Sequence, residues 1–153
     1  ARLAGHERIA CIKEARNDDA RVAAVVALKR PDFAVLSGDD GTCAQAMLHG
    51  ADGVISVAAN VAPAALRALC DAALAKNTGR VRELDDKLSE LYALLGAEPN
   101  PIPVKWCLHE LGICLPDPRL PLTPFSPELH GRARQVIGAL GLAAVQRLHS
   151  GVA

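Results

Sequence analysis

Aromatic residues are scarce. One Trp, one Tyr and two Phe make up 3% of the 153 residues. A surface that stacks single-stranded nucleic acid needs more aromatic faces than that. An excess of either charge is also missing. The 17 basic and 17 acidic residues cancel to a formal charge of zero, so no basic face points to nucleic acid and no polybasic segment to a membrane surface. No apolar run approaches the ~18 residues of a membrane span. The opening A-R-L-A-G-H-E has neither an initiator methionine nor a secretory leader pattern. It reads as the end of a helix entered partway, and a longer polypeptide is expected.

Metal and disulfide signatures are likewise lacking. Five cysteines stand at positions 11, 43, 70, 107 and 114 with no C-x-x-C spacing. The number is odd and all five lie in apolar runs, so they are expected to be reduced core residues of a cytoplasmic protein. His6, His49, His109, His130 and His149 are scattered, and each is expected on a helix surface rather than as a metal ligand.

What is present is ordinary globular material, half apolar and 22% charged. Three short apolar runs, Ile9–Ile12, Phe33–Leu36 and Val54–Val57, have the length of buried strands and start about 20–24 residues apart. Helical patterns at Ala20–Arg30 and Thr42–His49 lie between them, which predicts β-α-β-α-β with parallel strands covered on both faces. After Val57 the character changes. Helices are expected over Pro63–Ala75 and Arg80–Leu95, and from an Asn100 cap with Pro101 at the first helical position to about Leu111, ended by Gly112. Five prolines keep Leu115–Pro127 extended. Ser126-Pro127-Glu128 starts a last helix that ends near Gly141.

Lys13 closes the first apolar run, in I-A-C-I-K-E-A-R. In parallel α/β folds the carboxyl ends of strands face the ligand crevice. A lysine there is a candidate amine nucleophile, provided that an apolar wall disfavours its cation; free lysine has a pKa of about 10.4. Ile9, Cys11 and Ile12 are the candidate wall. From position alone the favoured reading is a Lys13 that points into solvent or pairs with Glu14. Lys29, Lys76 and Lys87 are expected to be solvated, and Lys105 to be structural. The second run ends V-L-S-G-D-D, where Gly38 lets a ligand or another backbone come close. Asp39 and Asp40 are candidate metal ligands, with helix capping expected for Asp40. The third run, G-V-I-S-V, places Ile55 either in plain core, which the pattern favours, or with its backbone along a pocket.

Together these segments resemble the dihydrodipicolinate synthase family. I-A-C-I-K-E-A is similar to its Schiff-base lysine strand, V-L-S-G-D-D to the next strand and G-A-D-G-V-I-S-V-A-A-N-V-A-P to the one after. E-P-N-P-I-P-V-K-W-C-L-H-E-L-G and R-L-P-L-T-P resemble its C-terminal helical region. The first three are shared by the wider pyruvate-dependent lyase superfamily, which includes N-acetylneuraminate lyase; N-P-I-P-V-K points to the synthases.

The resemblance implies an α/β fold, the C-terminal part of a (β/α)8 TIM barrel. Residues 1–62 would be strands six to eight with their helices, and 63–153 the barrel-closing helix and a C-terminal helical region. It implies a lyase that condenses pyruvate with aspartate semialdehyde in lysine and diaminopimelate biosynthesis. Lys13 would form the imine, and Gly38 and Ile55 would line the pyruvate pocket, Ile55 through its backbone. No metal or organic cofactor is implied beyond that covalent imine. The expected partners are the N-terminal half of the barrel, on the same or a separate chain, and further copies in a dimer or homotetramer. The chain alone is expected to be inactive, because three strands cannot close a barrel.

The family's Lys-Glu-Ala is typically followed by a small pair such as Thr-Gly. Here Arg16-Asn17-Asp18-Asp19 follows, near a subunit contact in the family. The family's substrate threonines, relay tyrosines, substrate arginine and lysine feedback site have no counterpart in these residues, and Tyr92 cannot substitute for the tyrosines. Two alternatives stand beside the leading one. One is another pyruvate-dependent aldolase acting on sialic acid or keto-sugar acids; the other is an inactive half-barrel kept for interaction.

Overall fold

In the computed structural model, which describes residues 2–16 and 18–144, the three apolar runs form one parallel sheet. Ala1, Asn17 and residues 145–153, His149 among them, lie outside the described residues. The opening segment forms a 3₁₀ turn, Arg2–Gly5. The sheet is ordered β1–β2–β3, with β1 at Cys11–Glu14, β2 at Ala34–Ser37 and β3 at Gly53–Val54. Helix α1 (Asp19–Val26) crosses from β1 to β2, and α2 (Asp40–Leu48) from β2 to β3. Lys13 stands opposite Leu36, and Leu36 opposite Gly53.

β1 and β2 begin later than their apolar runs, and β3 is shorter than expected. Burial sets the runs, but hydrogen bonding sets the ladder. Polar Lys13 and Glu14 carry β1 past Ile12, and after Val54 only the Ile55 N–H continues the pairing, to Ser37 O at 2.8 Å. Helix α1 stops at Val26, well before Arg30. Pro31 disfavours helical backbone at the residue before it, and Arg30 and Phe33 instead exchange backbone bonds of 3.1 and 3.0 Å across a tight turn. Asp18 caps α1 by accepting the Arg21 N–H at 2.8 Å.

Strand alternation divides the sheet into two faces. Val35 and Ser37 are buried and share a small cavity with Val25, Val26 and Thr42 of the covering helices. Cys11 and Lys13 lie on the opposite face and are exposed. The cysteine expectation is therefore corrected. Cys43 and Cys107 are fully buried, Cys70 and Cys114 are half-buried, and Cys11 is on the open face of the sheet.

A second 3₁₀ turn, Ala58–Asn60, leads into α3 (Pro63–Leu74), α4 (Thr78–Leu95), α5 (Ile102–Glu110) and α6 (Pro127–Ala139). α3 and α4 pack as a hairpin, and α4 also packs against α2 and α6. Leu69, Leu88, Leu91 and Leu94 are wholly buried with Met47 of α2, so one core runs under the sheet's helices and the later ones. Lys76 is not merely solvated. It turns the chain between α3 and α4 with φ +57°, and its Nζ donates to Met47 O at 3.2 Å and Leu48 O at 3.0 Å, at the C-terminus of α2. A cation is favoured there because the last carbonyls of a helix carry partial negative charge. Lys29 likewise pairs with Asp52 at 2.6 Å.

Pro101 rather than Asn100 occupies the cap position of α5; its carbonyl accepts the Lys105 N–H at 3.0 Å. At the other end Gly112 takes φ +78°. The Gly112 N–H bonds to His109 O at 2.8 Å and the Ile113 N–H to Leu108 O at 2.9 Å, the paired bonds of a Schellman cap. His130 is no surface residue of α6. Its ring stacks on Trp106 at 4.4 Å beside buried Phe125, joining α5, the proline-rich segment and α6.

Candidate functional site

The three residues singled out by sequence stand at the carboxyl ends of three adjacent parallel strands. Lys13 is in β1, Gly38 follows β2 and Ile55 follows β3. Lys13 and Gly38 are in contact. A Cβ built at Gly38 would lie 2.5 Å from Lys13 Cε and 2.9 Å from Lys13 Cγ. The lysine stem thus runs across the one position where the neighbouring strand has no side chain. Lys13 and Ile55 line one cleft of about 510 Å³ together with Val57, Asn100, Lys105 and Leu108. Gly38 lines the adjoining cavity of about 320 Å³ with Asp39, Asp40 and Tyr92. Val57 and Asn100 border both.

Two expectations about Lys13 are corrected. Its wall is not Ile9, Cys11 and Ile12. Those residues line a separate cavity with Leu28 and Phe33 at the other end of the sheet. Period-two alternation explains this for Ile12, which faces away from Lys13. The apolar lining beside Lys13 comes instead from Ile55, Val57, Val104 and Leu108. Nor is Glu14 its partner. The Glu14 carboxylate binds Arg21, and that guanidinium holds the carboxyl below its ordinary range. Among the described residues Lys13 has no ion pair. Ile55 is 49% exposed, so it is not core. Its side chain stands at the cleft while its N–H remains in the ladder.

Asp40 does not cap α2. Asp39 occupies the cap position, and its Oδ2 accepts the Thr42 hydroxyl at 2.7 Å. Asp40 is the first helical residue, and its Oδ2 accepts the Ala58 N–H at 2.9 Å. Among the described residues no three His, Cys, Asp or Glu side chains converge as a metal site. Burial pushes the Cys43 thiol up to about 12 and raises the Tyr92 phenol, so neither is an anionic nucleophile near neutral pH.

Sequence inspection missed the wall formed by α5. Val104, Lys105 and Leu108, with Pro101, sit at helical spacings of three and four and all face the cleft. That spacing was legible; its target was not, because α5 is brought to the sheet by tertiary packing, on the second 3₁₀ turn among other contacts. A wider groove of about 710 Å³ between α4 and α6 is lined by Leu84, Leu88, Val136 and Leu140 with Lys87 and Arg132. Lys87 is already paired with Glu83 there.

Among the described residues no helix is long and apolar enough to cross a membrane. The sequence profile of the Dihydrodipicolinate synthetase family matches residues 1–140. A protein of Stenotrophomonas maltophilia (strain K279a) named 4-hydroxy-tetrahydrodipicolinate synthase is 46% identical over 150 residues, which cover 98% of this chain and 50% of that protein. A Xylella fastidiosa (strain Temecula1) protein of the same name is 47% identical, with 98% and 49% covered. The crystal structure of dihydrodipicolinate synthase from Aquifex aeolicus superposes with a TM-score of 0.88 at 40% identity, covering 94% of this chain and 49% of that one. The chloride-inhibited enzyme of Acinetobacter baumannii, complexed with pyruvate, superposes at 0.87 and 42% identity, with 92% and 48% covered. The chain therefore spans about half the length of the relatives it matches. With its strand-end lysine laid over a glycine and its match to the profile through residue 140, the chain belongs to the dihydrodipicolinate synthetase family.

Proposed function

We propose that this chain carries the imine-forming half of a pyruvate-dependent lyase, which condenses pyruvate with aspartate semialdehyde to 4-hydroxy-tetrahydrodipicolinate. The observation that carries the reading is the stem of Lys13 lying across Gly38 at the mouth of a cleft shared with Ile55. In this reading β1–β3 are strands six to eight of a (β/α)8 barrel. Residues 1–62 supply its last three units, and residues 63–153 its closing helix and C-terminal region. The half-length match to the relatives and the outer strands β1 and β3 support completion of the barrel by an N-terminal half, on the same or another chain, and assembly into a dimer or tetramer. No membrane or nucleic acid takes part, and the cytoplasm is the proposed location.

The neutral Lys13 amine attacks the keto carbon of pyruvate and water leaves, giving the imine. The imine withdraws electrons, so a base can take a proton from the neighbouring methyl and leave an enamine. The enamine carbon bonds to the aldehyde carbon of aspartate semialdehyde, and the aldehyde oxygen takes up a proton. Attack of the product's own amine on the imine carbon then closes the ring and releases Lys13. Each step is carried by the covalent imine, which serves as the electron sink, and needs no metal or organic cofactor. Gly38 leaves room for the lysine stem, and the Ile55 backbone borders the keto acid. Lys105 lines the same cleft, where its side chain can pair with a substrate carboxylate.

Borohydride reduction of the intact protein in pyruvate, followed by peptide mass analysis, tests this. A stable adduct on Lys13 that disappears in Lys13→Ala is expected. An adduct on another lysine, or none, overturns the assignment. An aldehyde panel then reads out the acceptor.

A further inference from the structure

We propose that Asp40 is a positioning residue for the keto-acid pocket, its carboxylate tying the turn after β2, which holds Gly38, to the turn after β3, which holds Ile55. The inference rests on the Lys13 imine reading above. Asp40 stands two residues after Gly38, and the Ala58 N–H it binds at 2.9 Å stands three residues after Ile55. Ala58 is fully buried, so water does not compete for that N–H. β3 is only two residues long. Among the described residues, the hydrogen bonds that join the chain beyond it to β2 and α2 are Ile55 N–H to Ser37 O and Ala58 N–H to the Asp40 carboxylate. Without the carboxylate, the pocket edge at Ile55 keeps one ladder bond and the packing of the second 3₁₀ turn on α3, α4 and α5.

The second carboxylate oxygen points to the rest of the device. Asp40 Oδ1 is buried without a hydrogen-bond partner, as are Tyr92 Oη and Asp85 Oδ1 of α4. Tyr92 borders the same cavity as Gly38 and Asp40 and lies beside Cys43, within electrostatic reach of both aspartates. Leaving such an oxygen unsatisfied costs about 1–3 kcal/mol. The phenol is the hydroxyl donor in this group, and it stays protonated because burial raises it. Tyr92 lines the cavity beside the carboxylate without hydrogen-bonding to it, a position distinct from relaying protons to substrate.

Asp40 also sits in the first turn of α2, where any negative charge is favoured. Asp40→Asn separates the two effects, since the amide oxygen still accepts the Ala58 N–H while the charge is gone. In the intact protein, Asp40→Ala is expected to raise the pyruvate KM about tenfold and to speed amide exchange in residues 55–60, whereas Asp40→Asn stays within about threefold of wild type. Val81→Ala, in the distant first turns of α4, serves as the stability control and should lower Tm without moving either readout. Unchanged exchange in Asp40→Ala overturns the strut. So does an Asp40→Asn variant as impaired as Asp40→Ala, or a Val81→Ala variant whose pyruvate KM rises equally. A wild-type protein that forms no pyruvate adduct overturns the imine reading instead, and the exchange measurement still decides the strut.

Discussion

A methyl group at Gly38 probes the proposed site at its tightest point. The added carbon would stand 2.5 Å from Lys13 Cε, 2.9 Å from Lys13 Cγ and 3.0 Å from Ala15 Cβ, whereas carbons pack comfortably at about 3.5–4.0 Å. Gly38 does not occupy the left-handed region, so alanine fits its backbone and the strain falls on the lysine. Moving a side chain off its preferred rotamer costs about 0.5–1.5 kcal/mol. Replacing glycine where the backbone is compatible returns about 0.4–1 kcal/mol through the unfolded chain. These nearly cancel, and Tm should move by no more than about 2–4 °C, the shift expected for 1 kcal/mol in a protein of this size or somewhat larger. The lysine tip, however, must retreat by about 1 Å, a misplacement that costs on the order of 100-fold in rate. Timed borohydride trapping of Gly38→Ala with pyruvate, alongside thermal melting, measures both. Adduct formation at the wild-type rate would show that the lysine stem does not depend on the gap at Gly38. A fall in Tm beyond about 10 °C would show that the glycine serves packing instead.

Three further outcomes follow from the fold. Trp106→Ala, which removes a 5% exposed indole stacked on His130, should destabilise the protein by about 3–5 kcal/mol in denaturant titration; a loss under about 1 kcal/mol would mean that this cluster is not a unit. Gly112→Ala forces a side chain into φ +78° and should cost about 1–2 kcal/mol, with no change in pyruvate adduct formation. For Asp52, burial raises the carboxyl, but the bonds from Lys29 and the Val35 N–H outweigh it, so the folded group titrates below the ordinary 3.8. A depressed folded value means that the stabilisation is present above the ordinary one and is lost as pH falls through the folded one. The Tm gap between wild type and Asp52→Asn should hold constant from about pH 6 to 8 and narrow below about pH 4; a gap that widens in acid would reverse that sign.

The parallel sheet was legible because each strand coincides with part of a continuous apolar run, although only β2 has fully buried residues. Its register was not. Lys13 and Glu14 are ladder residues by hydrogen bonding alone, and nothing in their side chains signals it. α1 was overextended because Val25, Val26 and Leu28 keep the helical period; Pro31 carried the contrary signal. Asp40 and Lys76 show a different limit. Each bonds backbone 18 or more residues away, so local chemistry suggested a cap for one and solvent for the other. Ile55 was expected in core because its neighbours are apolar, but the chain leaves the sheet at Val54 and turns it to the cleft. The triple of Lys13, Gly38 and Ile55 could be named from motif resemblance, while the wall from α5 required the packing.

The ammonium of Lys76 does more than finish a turn. By gripping the last carbonyls of α2 from a point 29 and 28 residues downstream, it closes a loop that contains β3 and all of α3. Loosening at the tail of α2 is thereby coupled, by these two hydrogen bonds, to loosening of the turn that leads into α4.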